Sequence, residues 1–218
     1  MAYIFGDIVT SVKNRVRDSD YDTTEVKEYI NDTQADIFNE YRLNFMEASQ
    51  TYTTVANVAD ITNGVGLPAN YQIAIDLLNT TGGQQMLIPY RDISYLDEVS
   101  TSLTSGSAPV FWYMYANTIN IYPTPTTVMT VKLRYYKMPT LLVSDSDVPE
   151  LPDSFKEILV LGAAARVLQV KDNYDQAAIL KRDYARQLMM LVKQTAIKQT
   201  GKSTQQRINR VAISKRNF

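Results

Sequence analysis

The chain of 218 residues contains neither cysteine nor histidine. Without cysteine it can form no disulfide, thiolate nucleophile, iron–sulfur cluster or zinc-finger site. Without histidine it lacks the base of the Ser-His-Asp and Cys-His catalytic groups, and it has no imidazole metal ligand. These two absences argue against an enzyme, and the sequence predicts no catalytic residue, no cofactor and no metal site.

Long apolar runs are also missing. The longest run, Ile158 to Ala165, has eight residues, whereas a membrane-spanning helix needs about 20. The first residues, MAYIFGD, have no basic region ahead of the apolar ones, so we expect no secretory signal. The sequence therefore predicts a protein that folds in the cytoplasm where it is made and that has no membrane partner.

Charge is distributed unevenly along the chain. From Tyr184 to Phe218 there are eight basic residues and no acidic one, while the other 183 residues hold 14 basic and 23 acidic residues. An acidic body with a basic tail indicates that the tail binds a partner. Four apolar residues within the tail favour a protein groove over phosphate contacts as that partner, although a solvated, disordered end and a nucleic-acid contact stay open.

Both ends of the chain show helical periodicity. Spacings of three and four between apolar residues predict helices over Phe5–Arg17 and Thr24–Leu43, a third from Pro152 to about Lys171, and a fourth beginning at Asp175. Asp22 and Glu25 have the spacing of a capping box at the start of the second helix. The third helix is apolar on nearly all sides, which is typical of a buried helix.

The middle of the chain is rich in Thr, Tyr, Val and Ile and is interrupted by Gly, Pro and Asn. This composition predicts strands and turns. We expect a hairpin turn at Thr81-Gly82-Gly83, a second at Ala116-Asn117, and a short helix or irregular crossover at Tyr90–Val99. The predicted strands are Thr51–Val58, Gln72–Asn79, Gln85–Pro89, Pro109–Tyr115, Thr118–Tyr122 and Thr127–Lys137.

These elements predict an α+β fold. The helices of residues 1–48 and 139–197 need one another to bury their apolar faces, so we expect a four-helix bundle. Residues 49–138 would form a small antiparallel β-sandwich or barrel inserted into that bundle. Residues 198–218 would follow as an extended tail.

Two patterns of acidic residues could carry chemistry. Asp18, Asp20 and Asp22 match the first ligands of a calcium loop, but Thr23 stands where glycine is needed and Tyr29 where a bidentate glutamate is needed. We interpret this run as a solvated loop whose last acid caps a helix. Asp76 lies alone within an apolar strand, and no second acid is paired with it, so we interpret it as structural.

Aromatic residues concentrate in the β segment, which holds nine of the fifteen tyrosines. Such a surface could stack sugars or bases. The same segment has only four basic residues, fewer than a groove for single-stranded nucleic acid requires. Core packing and protein interfaces are therefore favoured, and a carbohydrate- or nucleic-acid-binding module is the alternative.

An ordered set of segments resembles the head-to-tail adaptor proteins of tailed bacteriophages, of the tail tubular protein A type. The segments are VKNRVRDSDYDTTEVKEYINDTQADIF, LPANY, INIYPTP, LRYYKMP and DVPELPDSFKEILVLGAAARVL. The similarity runs from about Ile4 to Thr195. It implies a structural protein of the virion neck that forms a ring, commonly twelve-fold, between the portal protein and the tail nozzle or tube.

The resemblance also implies where the contacts would lie. The C-terminal segment would dock on the portal, and loops of the β segment would face the tail, from Thr80–Gln84 (Thr81, Gly82, Gly83) or from Leu103–Ala108 (Ser105, Gly106). DNA would be in contact only in transit, because an acidic body repels phosphate. The portal-docking residues would be Lys198, Lys202, Arg207, Ile208, Arg210, Val211, Ile213, Lys215, Arg216 and Phe218.

Overall fold

The computed structural model describes residues 3–98 and 105–199, with side chains as far as residue 194. Within them the chain forms five α-helices and a set of mostly antiparallel strands, so the α+β class is confirmed. The helices are α1 (Phe5–Val16), α2 (Thr23–Glu40), α3 (Ile93–Glu98), α4 (Glu157–Val170) and α5 (Tyr174–Gln199). The strands are β1 (Glu47–Thr53), β2 (Tyr71–Asn79), β3 (Met86–Ile88), β4 (Ser105–Gly106), β5 (Phe111–Tyr115), β6 (Thr118–Tyr122), β7 (Thr124–Pro125) and β8 (Thr130–Lys137).

The start of α2 differs in detail from the predicted capping box. The Asp22 carboxylate accepts a hydrogen bond from the Thr24 amide at 2.8 Å and so caps the helix. Glu25 does not reach back to the capping residue, because its carboxylate accepts the Tyr21 hydroxyl at 2.7 Å. The cap was correctly predicted, and the reciprocal half of the box was wrong.

α2 also ends earlier than the predicted Leu43. Its last residue is Glu40, and Tyr41 is already extended. Leu43 is buried in the core as the chain turns towards β1 through a short 3-10 turn, Asn44–Met46. Burial of Leu43 and Met46 therefore ends the helix, which a periodicity that continues past residue 40 does not reveal.

Helix α4 is buried, as its sequence predicted, and it lies at the centre of the helical part. It packs against α1, α2 and α5. A Cβ atom on Gly162 would lie 2.3 Å from Thr33 Cγ2 of α2 and 3.2 Å from Tyr184 Cε2 of α5, so only glycine allows this approach. The four-helix bundle itself remains a prediction.

A four-stranded antiparallel sheet with the order β1-β8-β2-β3 forms the largest piece of the β part. The β5–β6 hairpin turns at Ala116 and Asn117, which both have positive φ, as a tight hairpin of this kind requires. Apolar residues of the sheet and of this hairpin share one cluster, which includes Leu77, Trp112 and Ile121. Two hydrophobic clusters result, one among the helices and one among the strands; the domain boundaries at residues 49 and 139 and a closed sandwich or barrel remain predictions.

Two details of the β part were wrong in the sequence analysis. β1 covers residues 47–53 and not 51–58, because Thr54 leaves the ladder and exchanges hydrogen bonds with Met129 at 2.8 Å each. The strands β4 and β7, of two residues each, were not predicted, and they pair in parallel. A strand of two residues has no side-chain periodicity to detect.

The helical and β parts meet at one end of the sheet. Gln72 at the start of β2 donates from Nε2 to the Phe38 carbonyl and to Asn39 Oδ1, both at 3.1 Å. After β8 the chain runs along α2, where the Asn31 side chain bonds both the amide and the carbonyl of Leu142 at 3.0 Å. This junction fixes which end of the sheet is free.

Candidate interaction surfaces

The turn at Thr81–Gly83 joins β2 to β3, as predicted, and it is held firmly. Thr80 donates from its amide to the Thr130 carbonyl at 2.8 Å, and Thr81 Oγ1 accepts the Thr130 amide at 3.0 Å. Gly82 and Gly83 have φ of 69° and 80°, values that favour glycine. The loop is therefore exposed and yet rigidly attached to the first residue of β8.

The second predicted loop is attached to the same stretch of chain. Ser105 and Gly106 form β4 and pair with Thr124 and Pro125, and the Thr126 amide donates to the Gly106 carbonyl at 3.0 Å. Residues 103 and 104 lie outside the described residues. Gly106 contacts Pro123 so closely that an added Cβ would lie 2.8 Å from its Cγ.

The two loops, treated as alternatives in the sequence analysis, are brought together. One is bonded to Thr130 and the other to Thr126, and four residues of chain span at most about 14 Å. Both lie at the end of the sheet where β1 ends and β8 begins, which is the end away from the helices. Their residues form a single candidate surface, which we call the distal loop surface: Thr81, Gly82, Gly83, Ser105 and Gly106.

Exposed apolar side chains adjoin this surface, and sequence reasoning missed them. Met86 and Leu87 on the edge strand β3 are each 63% exposed. Val128, in the turn before β8, is also exposed. In the sequence these residues read as ordinary strand members, and only the position of β3 at the sheet edge shows that they face outwards.

The aromatic residues mostly fill the β core or pack on one another. Trp112 and Phe111 are nearly fully buried, and the Phe111 and Tyr122 rings stack at 4.9 Å. Tyr95 meets Phe111 edge-on at 5.4 Å. Since these ring faces already have partners, few are available to stack a sugar or a base.

The acidic residues singled out in the sequence have structural partners. Asp76 is buried and accepts Arg134 Nε at 2.6 Å from the neighbouring strand, and a second bond joins it to the same guanidinium. The Asp76 carboxylate in turn raises the pKa of Arg134. In the Asp18–Asp22 loop, Asp18 pairs with Lys171 at 2.7 Å, and this bond lowers the pKa of Asp18.

The C-terminal part of the chain is described only as far as Gln199. Lys198 lies in the last turn of α5. The other residues assigned to portal docking, from Lys202 to Phe218, lie outside the described residues. The segment that contains them therefore continues from α5, the helix that packs on α4 in the helical part.

The distal loop surface thus belongs to the β part, whereas α5, the last described element before the basic tail, belongs to the helical part. A family model described as SU10 adaptor protein matches residues 3–212. The chain belongs to the SU10 adaptor protein family. The match covers both hydrophobic clusters and much of the basic tail.

Family membership makes the chain a structural phage adaptor protein, which interacts with other capsid or tail proteins of the virion. No curated protein matches the chain. Among the residues that the structure describes, no helix is both long enough and apolar enough to span a lipid bilayer.

Proposed function

We propose that this SU10-family adaptor is a head-to-tail connector of the tail tubular protein A type. Copies of the chain would form a ring between the portal and the tail nozzle or tube, with the twelve-fold symmetry that is common among adaptors of this type. The observation that supports the proposal is that the distal loop surface lies at the sheet end away from the helices, whereas the basic tail follows α5, a helix of the helical part. One chain can then contact two different partners at once.

The distal loop surface is suited to a rigid protein contact. Its turns are fixed by backbone hydrogen bonds to residues 124–130, so little conformational entropy is lost when a partner binds. Met86 and Leu87 add exposed apolar area next to it. We assign this surface to the tail nozzle or tube.

The basic tail is suited to an acidic groove on the portal. It combines cations with apolar residues, and 21 residues from Lys198 to Phe218 reach at most about 70 Å when extended. The acidic character of the rest of the chain disfavours tight binding of DNA, so DNA would pass through the ring without being held.

Truncation tests the portal contact. A chain that ends at Gly201 should keep its fold, because both hydrophobic clusters lie before that residue, and it should lose portal binding in a pull-down. A second, full-length variant shows whether portal binding depends on the charge of the tail or on its length. In this variant glutamine replaces Lys202, Arg207, Arg210, Lys215 and Arg216. Undiminished binding by the truncated chain would refute the assignment.

Two acidic substitutions test the tail contact. Met86→Asp with Leu87→Asp should leave portal binding intact and abolish binding of the tail nozzle or tube protein, because charge in an apolar contact costs several kcal/mol when it is left unpaired. Val143→Asp is the matched control, since Val143 is equally exposed but lies beyond β8, near α2. Equal loss in the control would mean that the distal loop surface is not the site.

The alternative, a carbohydrate- or nucleic-acid-binding module, makes a different prediction. It requires binding of an oligosaccharide or of single-stranded DNA by a chain that stays monomeric in the presence of portal. Titration of the purified protein with both ligands, followed by tryptophan fluorescence of Trp112, distinguishes the two functions.

A further inference from the structure

Helix α2 carries a row of exposed acids. Glu28, Asp32, Asp36 and Glu40 follow one another at intervals of four residues and are all exposed, so they form one stripe along the helix. Neighbouring like charges at this spacing each destabilise a helix by about 0.2–0.5 kcal/mol. We call these four residues the acidic stripe.

Only part of this charge is neutralised within the chain. Arg166 of α4 pairs with Asp36 at 2.5 Å and with Asp32 at 3.6 Å. Among the described residues, no cation lies within ion-pair distance of Glu28 or Glu40. The acidic stripe therefore presents about three uncompensated negative charges to its surroundings.

Helix α5 carries the complementary pattern. It buries Ala177, Leu188 and Leu191, and its opposite face is exposed. That face holds Arg182, Arg186 and Lys193, which at 100° per residue lie within about 40° of one another around the helix. None of the three has a carboxylate at ion-pair distance in the part of the chain that the structure describes.

Large apolar side chains flank these cations. Ile179, Met189 and Met190 are 51%, 59% and 42% exposed on the same side of α5. Methionine and arginine are both enriched at protein interfaces, where an apolar centre is bordered by polar groups. We call the six residues the basic ridge: Ile179, Arg182, Arg186, Met189, Met190 and Lys193.

We infer that the basic ridge of one copy binds the acidic stripe of a second copy. The two surfaces have opposite charge, similar length and a place on every chain, so each copy offers both halves of the contact. A contact between two unlike surfaces passes from copy to copy and closes into a ring if the rotation allows. This inference rests on the proposed ring and names the surfaces that would hold it together.

Charge exchange between copies tests the contact. Variant one carries Arg182→Glu and Arg186→Glu, and variant two carries Glu28→Arg and Glu40→Arg. In each variant alone, the ridge of one copy and the stripe of the next would carry charge of the same sign. The self-association constant should therefore fall at least about tenfold. An equimolar mixture should associate again, since the acidic ridge of one variant meets the basic stripe of the other.

Sedimentation velocity in low salt gives the readout, with circular dichroism to show that each variant is folded. Lys181→Glu is the matched control, because Lys181 is exposed on α5 but lies about 100° away from Arg182. Raising the salt to 1 M, where the Debye length falls to about 3 Å, should weaken association of the wild-type chain.

Three results would overturn the inference: a wild-type chain that stays monomeric in low salt, single variants that associate normally, or a mixture that fails to recover. The proposed function fails separately, if the wild-type chain does not bind portal. A wild-type assembly that stops at a dimer, and that responds to the charge exchange as expected, would support the α2–α5 contact and contradict the ring.

Discussion

The helical part and the β part of this adaptor differ in how they use charge and close contact. The helices place most of their ion pairs at the surface, such as Lys27 with Asp145 at 2.6 Å, and bring backbones together at Gly162. The strands hold one ion pair whose carboxylate is buried, Asp76 with Arg134, and most glycines of the β part lie in turns with positive φ, with Gly106 of β4 as the exception. The helical part should therefore be sensitive to added volume and the β part to lost charge.

The largest effect is expected at Gly162. Gly162→Ala places a methyl group against the stiff side chain of Thr33, so it should destabilise the protein by about 2–3 kcal/mol, although alanine favours helix by about 1 kcal/mol. Urea unfolding measures the change. Adding Thr33→Ser removes the Cγ2 methyl and should restore most of the loss, and a double variant as unstable as the single one would contradict the packing argument.

The buried ion pair comes next. Removal of one partner from a fully buried pair costs about 3–5 kcal/mol, but the Arg134 side chain is 43% exposed, so Asp76→Ala should cost about 2 kcal/mol. A double-mutant cycle with Arg134→Ala isolates the interaction between the two side chains. A coupling energy near zero would show that the pair does not hold β2 to β8.

At the junction of the two parts, Glu150 links stability to pH. Burial alone would raise its pKa, but hydrogen bonds from Lys137 and from the amide and hydroxyl of Thr140 outweigh burial and hold the pKa below its ordinary value. Because the pKa of Glu150 is lower in the folded state, its contribution to stability is fully present above the unfolded-state pKa of about 4.3. That contribution is lost as the pH falls through the folded-state pKa.

Glu150→Gln should therefore reduce stability at neutral pH by about 1 kcal/mol or less and flatten the acid side of the stability profile. Lys137→Met should lower the free energy of unfolding by a similar amount, because it removes the main partner of the same carboxylate. Unfolding free energies measured from neutral pH down to about pH 3 test this. An unchanged acid slope in both variants would rule out the Glu150 contribution.

An effect of similar size is expected in the distal loop surface. Gly82→Ala and Gly83→Ala should each cost about 1 kcal/mol, because both residues have positive φ, while no atom lies close enough to clash with the added Cβ. The same substitution thus acts through backbone conformation here and through volume at Gly162. Differential scanning calorimetry of the three variants measures the difference in stability. A Gly82→Ala variant as unstable as Gly162→Ala would contradict the comparison.

Sequence periodicity predicted the elements with strong local signals. α4 was recognisable because apolar residues surround it, and the β5–β6 turn because Ala-Asn sits between two apolar strands. Elements fixed by distant contacts were not recognisable: α2 ends where Leu43 becomes buried, and the residues of β4 pair with residues nineteen positions further on. Tertiary contacts decided those boundaries, and no local pattern encodes them.

The candidate surfaces show the same division. The glycines of the Thr81–Gly83 turn were recognisable from the sequence alone. That this turn lies near Ser105 and Gly106 depends on hydrogen bonds to residues 124–130, which are distant in the sequence. The exposure of Met86 depends on the position of β3 at the edge of the sheet. The acidic stripe of α2 was present in the sequence as a spacing of four, but its exposure required the packing of α2 on α4.

As a head-to-tail connector, this adaptor would couple a portal to a tail by forming a ring. Electron microscopy of purified portal mixed with the wild-type protein tests it most directly. We expect a ring of additional density on one face of the portal, and we expect it to be absent when the chain ends at Gly201. Bare portals beside unattached protein, in conditions where both are folded, would contradict it.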